Sequence, residues 1–123
     1  MAKAPRNGPY ICGIDAALDV VNGKWKGLIL WELETNRVLR FAELRRGMPG
    51  VSEKMLTQHL REMEADGLVH REVFAEVPPR VEYSLTEHGR TLNQALGPLG
   101  DWGVERMRRE GSERVAVEET SHV

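Results

Sequence analysis

Lys54, Gln58 and Arg61 recur at i, i+4 and i+7, with Thr57 beside them and Ser52 and Met55 near the same end. An ammonium, a carboxamide and a guanidinium are groups that reach phosphate oxygens and the edges of bases. A carboxamide suits bidentate pairing with adenine, the cations suit guanine or phosphate, and a methionine side chain can lie against a thymine methyl. Carboxylates come only after this set, at Glu62, Glu64 and Asp66. An ordinary amphipathic surface helix with a solvated polar face has the same pattern, so the flanking segments must decide between the two.

The spacing predicts a helix over 52–66. A Pro49-Gly50 turn precedes it, and Ser52 is a good N-cap whose oxygen can accept an orphan N–H of the first turn. Leu56, Leu60 and Met63 form a buried stripe opposite the polar one. Asp66-Gly67 ends the helix, with Gly67 where a left-handed residue is wanted. Upstream, residues 41–46 read as a short helix with Phe41 and Leu44 inward and Arg45 and Arg46 near its end. Residues 38–40 can form a short strand before it. Two helices joined by a few turn residues, the second polar outward, match a helix-turn-helix.

Downstream, residues 68–75 and 81–85 read as paired strands, the second alternating Val81, Tyr83 and Leu85 with Glu82 and Ser84. Between them Pro78 and Pro79 cannot donate ladder hydrogen bonds, so 76–80 should leave the sheet as an extended arm with Pro79 and Arg80 at its tip. A generic hairpin has the same signature, but its position directly after the helix-turn-helix favours a wing.

Three further helices are expected. Ile14, Leu18 and Val21 give residues 13–22 an apolar face, ended by Asn22-Gly23. Residues 24–34 are apolar nearly all round, so both Trp25 and Trp31 are expected in the core. Lys24 and Lys26 start that helix and could reach phosphate or only water. Thr86 caps a last helix over 86–110, where Leu92, Leu96, Leu99 and Trp102 form an apolar side and Pro98 should introduce a kink. The apolar faces of the first and last helices exceed what the wing core needs, and a homodimer interface covers them economically. The class expected is mainly α with a small β-hairpin (α+β).

With 123 residues the chain is long enough for one domain. Residues 1–11 read as a disordered arm, 12–110 as the domain and 111–123 as an acidic flexible tail. The net charge is only −2, but from Arg37 to Arg61 six basic residues stand against two acidic ones. That local excess suits a nucleic-acid face on a nearly neutral protein. Nothing approaches the roughly 20 apolar residues of a membrane span. The first residues lack the apolar stretch of a signal peptide, so a cytoplasmic protein is expected. The single Cys12 excludes an internal disulfide, and His59, His70, His88 and His122 lack metal-ligand spacing, so neither metal nor cofactor is expected. Gly47 and Gly50 are turn residues rather than a phosphate cradle, and no nucleophile–base motif is present, so an enzyme is not expected.

The chain resembles the HxlR-type family of bacterial winged helix-turn-helix transcriptional regulators. The resemblance is carried by Cys12, LDVVNGKWKGLILWEL from Leu18, RFAELRRGMPGVSEKMLTQHLREMEADGLV from Arg40 and EVPPRVEYSLTEHGR from Glu76, and more weakly by LGDWG from Leu99. It covers residues 12–103. It implies a homodimer, joined through the first and last helices, on a pseudo-palindromic DNA operator, and a repressor as the family's usual role. Helix 52–66 would lie in the major groove, Arg45 and Arg46 on the backbone, and the wing at the minor groove. Some family members sense oxidants or electrophiles through a cysteine near the N-terminus. Cys12 matches that position, and a helix start favours thiolate. A small packing residue is the equal alternative. Two other readings remain open at this point: a regulator with a small-molecule site among Trp25, Trp31 and Trp102 between subunits, and a protein-binding winged helix without DNA.

Overall fold

The computed structural model describes residues 8–112; residues 1–7 of the expected arm and 113–123 of the expected tail lie outside them. The elements run α1 (Gly13–Val21), α2 (Trp25–Asn36), β1 (Leu39–Arg40), α3 (Phe41–Arg46), α4 (Glu53–Ala65), β2 (Val69–Phe74), β3 (Arg80–Leu85) and α5 (Glu87–Glu110). The three strands form one antiparallel sheet in the order β1-β3-β2. The chain is therefore mostly helical with a small sheet. Among the described residues no helix is long and apolar enough to cross a membrane.

The core lies where α2, α3, α4 and the sheet converge. Ile29, Leu30, Leu33, Leu44, Leu56, Met63 and Leu68 are almost fully enclosed. Met48 and Val51 are buried too. The segment between α3 and α4 is thus a packed part of the core, more than a connecting turn. Trp25 lies close to it: a Cβ on Gly50 would fall 3.7 Å from the Trp25 ring. Glu32 is buried against the same segment: a Cβ on Gly47 would fall 2.6 Å from Glu32 Oε1. The Asn36 amide donates to the Glu32 carbonyl at 2.9 Å, and burial raises the Glu32 carboxyl above its ordinary pKa.

Local rules account for the helix ends. Ser52 accepts the Met55 N–H at 3.1 Å, and Thr86 accepts that of Gly89 at 2.9 Å. After α4, Gly67 adopts φ +77, while Leu68 N–H donates to the Met63 carbonyl at 2.9 Å and Gly67 N–H to that of Glu64 at 3.0 Å. This is the paired bonding of a Schellman cap. Thr86 stitches the start of α5 to that cap: its hydroxyl donates to the Gly67 carbonyl at 2.6 Å, its N–H to that of Leu68 at 3.0 Å. Gly89 then packs directly on the Leu68 carbonyl, where a Cβ would fall 2.1 Å from the oxygen.

The helical assignment of α5 continues through Pro98 to Glu110. Its first half crosses α2, so Leu92 and Leu96 pack on this chain's own core, as does Val21 at the end of α1. All three keep part of their surface exposed in the single chain, so they give the core a partly covered border rather than its centre. Ile14, Leu18, Leu99 and Trp102 remain exposed, and α1 has no buried residue. Trp31 also departs from expectation. It is half-exposed, on the side of α2 that faces α5, whereas Trp25 is core. Residues 10 and 11, at the end of the expected arm, bond back onto α1 through Tyr10 Oη to Asp19 (2.8 Å) and Ile11 N–H to Asp15 (3.0 Å).

Candidate nucleic-acid interface

The inward stripe of α4 fixes the outward one. Leu56, Leu60 and Met63 are sunk in the core, which leaves Ser52, Lys54, Met55, Gln58 and Arg61 exposed and Thr57 half-buried. Glu53, Lys54, Thr57, Gln58 and Arg61 line one shallow depression on that face. Arg45 and Arg46, in the last turn of α3, are exposed, and the Arg45 guanidinium donates to the Val51 carbonyl at 3.3 Å, just ahead of α4. The structure thus brings the α4 residues Lys54, Thr57, Gln58 and Arg61 to one depression, and ties Arg45 of α3 to the segment that leads into α4.

The wing differs from expectation at one position. Arg80 is not at the tip. It opens β3 opposite Phe74 and closes the base of the loop over 75–79. Its guanidinium meets Glu76 at 2.7 Å and Glu82 at 2.5 Å and lies 3.8 Å from the centre of the Phe74 ring. The bond from Arg80 holds the Glu76 carboxyl below its ordinary pKa. Glu76 stands four residues before Arg80, and Glu82 two residues after it on the same strand face. Both carboxylates therefore reach the cation, and its charge is already matched. Pro79 is exposed in the loop with Val77 and Pro78, none of them charged.

The sequence reading also passed over a cluster behind α4. Lys26, only 4 % exposed, extends from α2 to place Nζ 2.6 Å from Glu62 Oε1. Glu62 Oε2 accepts the Gln58 amide at 3.3 Å. The Lys26 bond is the main reason the Glu62 carboxyl lies below its ordinary pKa. The signal was present in the periodicity: Lys26 shares a helical stripe with Ile29, Leu30 and Leu33, all buried. Beside this pair His59 has its Nδ1 buried without a hydrogen-bond partner. Burial, and then the Lys26 charge, lower its pKa. A histidine depressed in the folded state destabilises the fold as pH drops below the unfolded value, near 6.5. Melting temperature should therefore fall between pH 7 and 5, and His59→Leu should flatten that decline. A decline of equal size in the variant would show that His59 is not its source.

On the opposite side α2 and α5 border an apolar cleft of about 800 Å³, whose lining includes Gly27, Trp31, Leu96 and Leu99. Cys12 is free and exposed at the N-cap position of α1, where its carbonyl accepts the Ala16 N–H at 3.1 Å.

Comparison with known proteins fits this architecture. The HTH-type transcriptional regulator YdeP of Bacillus subtilis is 49% identical over 92 residues, 75% of this chain and 71% of the relative. The regulator YtcD of the same organism is 46% identical over 112 residues, 91% and 88% of the two chains. Among solved structures, the redox regulator HypR in its oxidized form superposes with a TM-score of 0.70 at 46% identity, covering 85% of this chain and all of that one. Diamide-treated YodB from B. subtilis superposes with a TM-score of 0.63 at 30% identity, covering 85% and 98%. These relatives and neighbours are regulators rather than enzymes. A model of the HxlR-like helix-turn-helix family matches residues 20–111, and the chain belongs to that family of transcriptional regulators.

Proposed function

We propose that this regulator is a homodimeric repressor that binds a pseudo-palindromic operator in double-stranded DNA. Helix α4 enters the major groove of each half-site, and the 75–79 loop lies at the minor groove. One observation carries the reading. The polar stripe of α4 is uncovered and lines one shallow depression, while the opposite stripe is the centre of the core. Lys54, Gln58 and Arg61 then address base edges or phosphates, Ser52 and Thr57 the backbone, and Met55 a thymine methyl. Arg45 and Arg46 contact phosphates. Two-fold symmetry sets the two copies of α4 about one helical turn apart, ~34–36 Å. Dimerisation through Ile14, Leu18, Leu99 and Trp102 covers apolar side chains that the chain leaves in solvent.

The signal in this reading is an oxidant or electrophile acting at Cys12. Its exposure supports this, as does the likeness to HypR and YodB, each solved in reduced and in oxidized or diamide-treated form. Two Cys12 thiols give up two protons and two electrons to the oxidant and form a bridge between protomers; one thiol can instead form a mixed disulfide with a small thiol. The α2–α5 cleft favours a second reading, in which a small apolar molecule is the effector and Cys12 is structural. Its volume lies within the usual range for ligand pockets, roughly 300–1,000 Å³.

An anisotropy titration against the DNA upstream of the chain's own gene and its divergent neighbour tests these readings. It is run reduced, after diamide, and with Cys12→Ser. Tight, salt-dependent binding is expected, and Arg61→Ala should weaken it about tenfold or more. Release by diamide in the parent but not in Cys12→Ser identifies the thiol switch. Binding indifferent to diamide, but lost to a ligand in Cys12→Ser as well, identifies the cleft. An Arg61→Ala protein that binds as tightly as the parent overturns the assignment of α4.

A further inference from the structure

We infer that Lys26 and Glu62 are specificity-determining positioning residues, which fix the base preference of the Gln58 carboxamide without touching DNA. The inference rests on the proposed placement of α4 in the major groove. The Glu62 carboxylate divides its two oxygens, Oε1 to Lys26 Nζ at 2.6 Å and Oε2 to Gln58 Nε2 at 3.3 Å. An ionised carboxylate is an acceptor only, whereas a carboxamide has a donor end and an acceptor end. Glu62 therefore admits the Gln58 NH2 group and repels its Oε1. Gln58 cannot rotate by half a turn about its last bond without setting oxygen against carboxylate. The second N–H and Oε1 stay available on the outward side, in one order. Bidentate pairing with adenine needs one donor and one acceptor, to N7 and N6 respectively. A Gln58 free to rotate offers them in either order and discriminates less.

Lys26 is what keeps Glu62 in place. Lys26 is almost wholly buried on the α2 stripe of Ile29, Leu30 and Leu33, and its ammonium anchors the carboxylate of α4 from the α2 side. Only the lysine of this pair is buried: the Glu62 side chain is 37 % exposed and faces the Gln58 side of α4 as well as Lys26. A pair whose carboxylate also orients a base-reading side chain has a use beyond stability.

The test is competitive binding of the full-length protein to an operator series in which each base pair is substituted in turn. The parent, Gln58→Ala, Lys26→Met and Lys26→Met/Gln58→Ala are compared. Gln58→Ala locates the base pair that Gln58 reads. Lys26→Met should reduce discrimination at that same pair about tenfold, leave the other positions and the salt dependence unchanged, and add nothing in the Gln58→Ala background. If Lys26→Met does not fold, Lys26→Met/Glu62→Leu, which replaces the whole ion pair with apolar side chains, should show the same relaxed preference. A uniform loss of affinity across the series, or full discrimination retained at the Gln58 position, overturns the inference and leaves the DNA reading intact. No base preference lost in Gln58→Ala also overturns the inference, while the DNA reading itself fails only if Arg61→Ala binds as tightly as the parent.

Discussion

Gly89→Ala should be the most damaging single-methyl change in the chain. It should lower stability by about 3 kcal/mol or more and the melting temperature by roughly 10 °C or more, read by thermal or urea denaturation. The new Cβ would fall 2.1 Å from the Leu68 carbonyl oxygen and 3.0 Å from its carbon. Those are backbone atoms, and they cannot give way by a change of rotamer. The same carbonyl accepts the Thr86 N–H, and Thr86 both caps α5 and bonds the Gly67 carbonyl. Relief therefore requires α5 to lift away from the end of α4, which breaks the junction between α5 and the helix-turn-helix. Gly103→Ala on the same helix is the control. Its Cβ meets nothing within 4 Å, and alanine is the better helix former, so stability should hold or rise slightly. Equal damage from both substitutions would mean that helical glycine as such, rather than the contact with Leu68, is responsible.

Leu99→Asp and Trp102→Asp should each convert the protein to a folded monomer and weaken operator binding about 100-fold or more. Sedimentation equilibrium and anisotropy measure the two effects. Both side chains are more than half exposed in the single chain, so neither charge enters the protomer's own core. In the proposed dimer the same charges would be buried without partners, which is strongly unfavourable. Loss of dimerisation removes the gain from linking two half-site contacts, commonly about 10²–10⁴ in affinity. Far-UV circular dichroism should be unchanged apart from what α1 contributes. Leu92→Asp should behave differently: Leu92 packs on the core, so it should unfold the protomer itself. A Leu99→Asp protein that remains dimeric would place the interface elsewhere.

The elements best read from the sequence were those governed by neighbours in the chain. Ser52, Gly67 and Thr86 act within a few residues of their own positions, and the bounds of α4 follow from them. The polar face of α4 was legible for the same reason, since burying Leu56, Leu60 and Met63 leaves its direction no freedom. What escaped depended on distant partners. Lys26 pairs with a carboxylate 36 residues away, and its charge argued for solvent although its spacing argued for the core. Leu92 and Leu96 look equally apolar whether they meet α2 or solvent, and only the packing of α5 against α2 shows that they border this chain's own core. Arg80, after two prolines, was expected at the tip of the arm. The alternation of the strand, which puts Glu82 on its side, had already matched its charge.

That matched cluster at the base of the wing has a further consequence. With its guanidinium over Phe74 and between Glu76 and Glu82, Arg80 closes the arm into a stiff bracket before any DNA arrives. A side chain already ordered in the free protein has little rotamer freedom left to lose on association. In the proposed complex the bracket would work as a caliper, limiting how far the uncharged tip can shift from the end of the β2–β3 ribbon. It would select operators by the width of the neighbouring groove, a property of DNA shape, rather than by any base the arm contacts.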